Sequence, residues 1–320
     1  MRRILLGLAL VAGALAALSA TAQTKNIFVA TGPTTGVYYP IGGAIADVLT
    51  KNIPNLNATA GSTDGSMANL LLIQQRRADI ALSMADAGWD AFKGQDKFQG
   101  RQVPVRALMV LYPNRMHVVT VEGTGINKIA DLKGKRVSTG APNSATQIMA
   151  FRVLEAHGIN PEKDIIRERL DPGKSAEAIK DKKLDAFFWV GGLPTPAVTD
   201  LGATPGLKLK LVDHAEALEP MLAKWGPLYV KDTIPAKTYP GQETPAQIVT
   251  VWNVLVADAK MPDQQAYDIV KTLFDRKEDL VRVHAEARNF DLKNQTDSAA
   301  VIPFHPGAKK YFAEKGVTLK

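Results

Sequence analysis

Five histidines, His117, His157, His214, His284 and His305, are scattered along the chain, and none falls in a metal-binding spacing such as His-Glu-x-x-His. The chain has no cysteine, which excludes a thiol nucleophile, an iron–sulfur cluster and a zinc–thiolate site. No Gly-x-Ser-x-Gly nucleophile elbow is present. Bond-breaking chemistry therefore has no local motif here, and Asp86 and Asp171 are the acids nearest the loops that follow. What the residues offer instead is hydrogen bonding. Hydroxyls, small residues and aromatics gather in "TGPTTGVYY" (31–39), "GSTDGSMAN" (61–69), "SMAD" (83–86), "STGAPNSAT" (138–146) and "WVGGLPTP" (189–196).

The first of these loops raises the question of a phosphate site. A P-loop needs Gly-x4-Gly-Lys-Ser/Thr, but Gly36 and Gly42 are too far apart and no lysine follows; Gly-x-Gly-x-x-Gly is missing too. The remaining reading is a general anion cradle built from free backbone N–H groups and hydroxyls at helix starts. Its candidates are Thr35, Gly36, Tyr38 and Tyr39 in the first loop, Ser66 and Asn69 in the second, and Ser83 and Asp86 in the third. Ser138, Thr139, Gly140, Ser144, Ala145 and Thr146 follow in the fourth, and Trp189 in the fifth. Several have two readings. Ser66 and Ser144 either share an anionic solute or only cap helices. Asp86 either receives a ligand amino group or is a capping or surface residue. Trp189 either stacks on the ligand or joins the core. No metal and no cofactor is expected.

These residues must be held by regular elements. Residues 26–30 read as a strand, followed by a helix with Val37, Ile41, Ala44 and Val48 on one face. Pro40 is tolerated because the first helical turn has no intrahelical donor to lose. A strand at 56–60, a helix at 66–77 and a strand at 80–83 complete a β-α-β-α-β unit. The order recurs with a strand at 136–138, a helix from Ser144 carrying Ile148, Phe151 and Leu154, a strand at 165–170, a helix at 174–183 and a strand at 186–190. The third strands are introduced alike, by "RRADIALS" and "KKLDAFFW". Ile27 and Ile80 lie 53 residues apart, Val137 and Ala186 49 apart. Two such units predict two parallel-sheet domains of the α/β class. Residues 106–121 read as a strand interrupted at Tyr112-Pro113-Asn114, the first crossing between domains. A strand at 248–257 and one long helix at 262–287 follow, with the return crossing expected near 226–235. Pro303, His305, Pro306 and Gly307 read as a structural lock on a terminal helix.

The N-terminus has Arg2 and Arg3, an apolar run at 4–18 and "ATA" before Gln23, the pattern of a signal peptide at 1–22 cleaved near Ala22. No other stretch approaches the roughly 20 apolar residues of a membrane helix. An exported, soluble chain is expected, with core burial rather than disulfides supplying its stability. Formal net charge is +7, or +5 without Arg2 and Arg3, and no polybasic block is present. That mild excess suits an acidic solute and gives no sign of a nucleic-acid partner.

Three segments together resemble the TAXI-type solute-binding proteins of TRAP (tripartite ATP-independent periplasmic) transporters. They are "GPTTGVYYPIGGAIADVL" with "GSTDGSMANLLLIQQRRADIAL", "IADLKGKRVSTGAPNSAT", and "IPFHPGAKKYFAEKGV". The resemblance implies a two-lobed, type II-like periplasmic binding protein fold, each lobe a parallel-dominated sheet flanked by helices, with the ligand cleft between lobes. Lobe I is expected to comprise 23–112 and 229–320, and lobe II 113–228. The implied role is a periplasmic, monomeric, non-enzymatic receptor that binds glutamate, glutamine or a related dicarboxylate and delivers it to TRAP membrane permease subunits. The other major type of TRAP binding protein clamps a carboxylate with arginine, and none of the loops above carries one. Two alternatives stand beside this reading. One is a secreted hydrolase or transferase on a similar scaffold, which needs a perturbed acid–base pair in the cleft. The other is a receptor that presents its ligand to a signalling protein.

Overall fold

Runs of β-branched and aromatic residues set the strands, and apolar residues three and four apart set the helices that cover them. The computed structural model describes residues 24–319; the expected signal peptide at 1–22 lies outside them. β1 (Lys25–Ala30), α1 (Tyr38–Asn52), β2 (Leu56–Gly61), α2 (Ser66–Gln74) and β3 (Ile80–Met84) form the first unit in the expected order. α3 (Ala85–Lys93) and β4 (Val105–Val121) follow. The second unit is β5 (Arg136–Ser138), α4 (Ala145–Ala156), β6 (Ile166–Glu168), α5 (Pro172–Lys180) and β7 (Ala186–Gly191). Then come α6 (Pro196–Gly202), β8 (Leu209–Leu211), α7 (Leu218–Trp225), β9 (Val230–Ile234) and β10 (Ala246–Asp258). The chain closes with α8 (Asp263–Asp275), α9 (Lys277–Val283), α10 (Asp297–Ala300) and α11 (Pro306–Glu314).

The strands join one mixed sheet in the order β2-β1-β3-β10-β4-β7-β5-β6, with β8 on β4 and β9 on β10. β1 pairs in parallel with β2 and β3, and β5 in parallel with β6 and β7. Val29 meets Ile80 in the first array and Val137 meets Ala186 in the second, separations of 51 and 49 residues along the chain. From either edge inward the arrangement is the same: three parallel strands, then one long antiparallel strand, β10 in one half and β4 in the other. Helix starts thus cluster where the two arrays meet.

Two sequence expectations change. β4 is one continuous strand rather than one interrupted at 112–114. Pro113 faces Trp252, and the irregularity is a bulge on β4, which takes three steps from Pro113 to Val110 against two on β10 from Trp252 to Val254. A bulge is where a residue without an N–H is tolerated inside a sheet. Ile234, Tyr239, Ala246 and Ile248 pack with Val119, Phe187 and Leu209 of the second unit. β9 is exposed at Val230 and Lys231, whereas β10 is buried along nearly its whole length. The long helix also breaks. Arg276 (φ −111°, ψ 23°) separates α8 from α9, and Glu278 and Asp279 restart the helix with acids at its positive end.

The terminal segment is the lock expected of it. Ala107 N–H donates to the Pro303 carbonyl at 3.0 Å, and His305 N–H donates to the Ala107 carbonyl at 2.8 Å. The His305 ring accepts the Gly307 N–H and caps α11. A Cβ on Gly307 would stand 2.0 Å from the Asp263 carbonyl, so only glycine lets α11 lie against the start of α8. Phe304 and Phe312 then meet edge to face at 5.3 Å between ring centroids.

Candidate functional site

A narrow cleft with a cavity volume of about 30 Å³ lies where α1, α2 and α4 begin. Pro33, Gly36, Val37, Tyr38, Asp64, Gly65, Ser66 and Met84 line it from the first unit. Ser144, Ala145, Thr146, Trp189, Val190 and Gly191 line it from the second. Tyr112 and Asn114 of β4 complete it.

Its polar groups fall into two sets. The first is a ring of donors at helix starts, where first-turn N–H groups have no intrahelical acceptor. Ser66 Oγ accepts the Met84 N–H at 3.0 Å, and Thr146 Oγ1 accepts the Val190 N–H at 3.5 Å. The Ser66 hydroxyl also bonds the Tyr38 hydroxyl, whereas Thr146 keeps its own proton for an acceptor in the cleft. Ser144 differs. Its hydroxyl donates to the Ala141 carbonyl at 2.7 Å and accepts from Gln147 N–H at 3.3 Å as the α4 cap. It lines the cleft with its one proton committed, which favours the capping reading. Gly140 is placed by sterics: its φ is +101°, and a Cβ there would meet Thr146 Cγ2 at 2.8 Å.

The second set is unpaired. Tyr112 Oη and Asn114 Oδ1 have no partner among the described residues, although Tyr112 is 0% and Asn114 2% exposed. A buried polar atom left without a partner costs about 1–3 kcal/mol, so a ligand that meets it recovers that energy. Burial raises the Tyr112 hydroxyl pKa well above its ordinary value, with the Tyr38 and Glu286 charges adding to it. The hydroxyl stays neutral and can donate. Tyr38 is held differently: its hydroxyl donates to Asn253 Oδ1, and Asn253 Nδ2 donates to the Tyr112 carbonyl at 3.3 Å. The tyrosine is thereby tied to both long strands.

Of the expected residues, Gly36, Tyr38, Ser66, Ser144, Ala145, Thr146 and Trp189 come together at the cleft. Trp189 is buried and also lines the cleft. Its indole N–H donates to Thr195 Oγ1 at 3.0 Å, and its ring edge would lie 3.1 Å from a Cβ on Gly36, so it packs in the core and also walls the cleft. The others serve the frame. Thr35 accepts the Ala197 N–H through its carbonyl. Tyr39 is 40% exposed on the outer face of α1. Asn69 Nδ2 donates to the Thr31 and Leu82 carbonyls and ties β1 to β3. Ser83 donates to the Met84 carbonyl, and Ser138 bonds both backbone groups of Leu170. Thr139 is buried beside them.

Asp86 is a correction. It is fully buried away from the cleft lining, where Tyr229 donates to it at 2.7 Å and Arg152 lies 3.7 Å away. Arg152 also pairs with Asp90 at 2.7 Å. Burial pushes the Asp86 carboxyl upward against the pull of Arg152, and pushes Asp90 up to about 6. The cluster joins α3 of the first unit to α4 of the second. Asp171 is likewise engaged, capping α5 through Lys174 N–H at 2.9 Å. Sequence reasoning missed Tyr112 and Asn114; the "YPN" break in an apolar strand was their one local signal.

The two units touch across the mouth of the cleft. Ala68 N–H donates to the Asn143 carbonyl at 3.2 Å, and Ala197 N–H to the Thr35 carbonyl at 3.3 Å.

A family model described as the NMT1-like family matches residues 29–316. Among solved structures, an ancestral arginine-binding protein bound to arginine is similar at 14% identity and a TM-score of 0.51, over 84% of this chain and 99% of that one. A protein of Bordetella bronchiseptica RB50 is similar at 15% identity and a TM-score of 0.51, over 90% and 88%. The alkanesulfonate-binding protein SsuA of Xanthomonas axonopodis pv. citri bound to MOPS aligns at 13% identity and a TM-score of 0.49, over 92% and 85%. At these identities the likeness shows the fold: a mixed α/β sheet with flanking helices in the two-lobed manner of periplasmic binding proteins.

Proposed function

The chain belongs to the NMT1-like family, and from that premise we propose that it is a periplasmic solute-binding receptor of a TAXI-type TRAP transporter. It captures a small carboxylate-bearing solute between two lobes and delivers it, as a monomer, to membrane permease subunits. The three sequence segments that resemble TAXI proteins support this reading and put glutamate, glutamine or a related dicarboxylate in the ligand class. The observation that carries it is the cleft itself. Both units line it, helix starts supply donors, and two buried polar atoms on β4 wait without partners. The lobes we propose are the first unit with the residues after β10, and the second unit with 196–248, joined through β4 and β10.

The enzyme reading loses its acids, because Asp86 sits in the Arg152 cluster and Asp171 caps a helix. Tyr38 and Tyr112 are both held neutral by burial, so the cleft offers no matched acid–base pair. A permease gene beside this one separates delivery to a transporter from presentation to a signalling protein. The direct test is a panel of small carboxylates screened by thermal melting. A true ligand at 100 times its Kd stabilises the protein by about 2.7 kcal/mol and is recovered unchanged. Conversion of the solute to product, or no shift across the panel, overturns the proposal.

A further inference from the structure

The ligand must match the charge the cleft can balance. None of the lining residues is Lys, Arg or His. The nearest guanidinium along β4, Arg115, is already engaged by Asp232 at 2.8 Å and Glu286 at 3.0 Å. Positive potential comes only from the starts of α1, α2 and α4, each equivalent to roughly half a charge. That suffices for one carboxylate and falls short of two. Asp64, exposed at the rim, repels a second anion. Opposite demands arise at Tyr112 and Asn114. Asn114 Oδ1 is a buried acceptor without a donor, and Tyr112 Oη has both a proton and lone pairs to satisfy. A carboxylate offers no hydrogen to Asn114; a neutral amide or hydroxyl does.

We propose that the solute carries a single carboxylate, held at the helix starts by Thr146 and backbone N–H groups, and a neutral hydrogen-bond-donating end that meets Tyr112 Oη and Asn114 Oδ1. Dicarboxylates are thereby disfavoured, and Tyr112 and Asn114 are the specificity residues. This rests on the solute-receptor reading above and narrows its ligand class.

Matched pairs isolate the second charge: succinate against succinamate, glutarate against glutaramate, and adipate against adipamate, each titrated calorimetrically into the full mature protein. In at least one pair the half-amide should bind at least tenfold more tightly than the diacid. Tyr112→Phe should cut that half-amide's affinity about tenfold and leave the melting temperature within a degree or two, because the lost hydroxyl has no protein partner. A diacid that binds as tightly as its half-amide overturns the proposal, as does binding of none of the six or a Tyr112→Phe protein with unchanged affinity. Native mass spectrometry of gently purified protein separates this failure from that of the receptor reading. A co-purified dicarboxylate sinks the single-charge proposal and upholds the receptor. A protein that carries no solute and whose melting responds to no solute of any charge sinks both.

Discussion

Ser144 and Thr146 stand two residues apart at one helix start, yet their hydroxyls are committed differently. Ser144 donates its proton to Ala141 and caps α4, whereas Thr146 only accepts, leaving its proton for the cleft. Ser144→Ala should cost about 1 kcal/mol of stability as a lost cap and change affinity little. Thr146→Val should do the reverse. A hydrogen bond to a charged group contributes about 1.5–3 kcal/mol, so affinity should fall roughly 10- to 100-fold. The backbone contact that Thr146 gives up is already long at 3.5 Å, so stability should change little. Titration calorimetry and melting of both variants check the pair of outcomes; an exchange of the two phenotypes would reverse the assignment. The same reasoning explains Asp86. A carboxylate at a strand end looks available in sequence, but Tyr229 and Arg152 claim it from elements remote in the chain.

At the level of elements, what holds the site is the clamping of short helices onto two long strands. α11 is fixed by a glycine contact that leaves no room for a methyl group. Gly307→Ala should therefore destabilise the protein by about 1–3 kcal/mol through overpacking against Asp263. Its solute affinity, measured well below the melting temperature, should stay within about threefold, because the contact is with α8 and not with the cleft. A large affinity loss without a stability loss would contradict the structural assignment of this terminal lock. β4 carries a second kind of clamp. His117 bonds the Arg115 carbonyl through Nδ1 and the Tyr239 hydroxyl through Nε2, pinning the segment after β9 to the strand that also supplies Tyr112 and Asn114.

For the whole molecule, buried histidines set a pH dependence with a definite sign. Burial lowers both His117 and His214 to about 4, against 6.5 when exposed. Between those values the unfolded chain binds protons that the folded chain refuses, so stability falls as pH falls from about 6.5 to about 4. Asp90, raised to about 6 by burial, acts with the opposite sign and stabilises on acidification, so the single-group effect must be read as a difference. Relative to His214→Phe, wild type should lose on the order of 2 kcal/mol between pH 7.5 and pH 5. Chemical denaturation at the two pH values measures it; parallel profiles would show that His214 protonates freely in the folded state. Closure on the solute is the other property we propose for the whole molecule. The hydrogen bonds from Ala68 to Asn143 and from Ala197 to Thr35 join the two units, as a closed state requires. Small-angle scattering should show a smaller radius of gyration with saturating solute than without it. An unchanged radius would count against two lobes turning about β4 and β10.

The sequence by itself determined what depends on neighbours along the chain: the two β-α-β-α-β units, their matched spacings, the glycine- and hydroxyl-rich turns at strand ends, and the terminal lock. Periodicity and turn chemistry act within a few residues, so they can be read locally. The tertiary structure decided which of those turns face one another, because that requires both arrays on one sheet. It decided the fate of Asp86 and Asp90, whose partner Arg152 lies 62 residues from Asp90. It also packed Ile234 and Ile248 against Val119 and Phe187 of the second unit, contacts between residues far apart in the chain. Above all it turned Tyr112 and Asn114, two residues in the middle of an apolar strand, into unpaired groups of the cleft. Their role comes from what surrounds them once folded, which leaves Tyr112 Oη and Asn114 Oδ1 without a partner among the described residues, and no spacing along the chain encodes that.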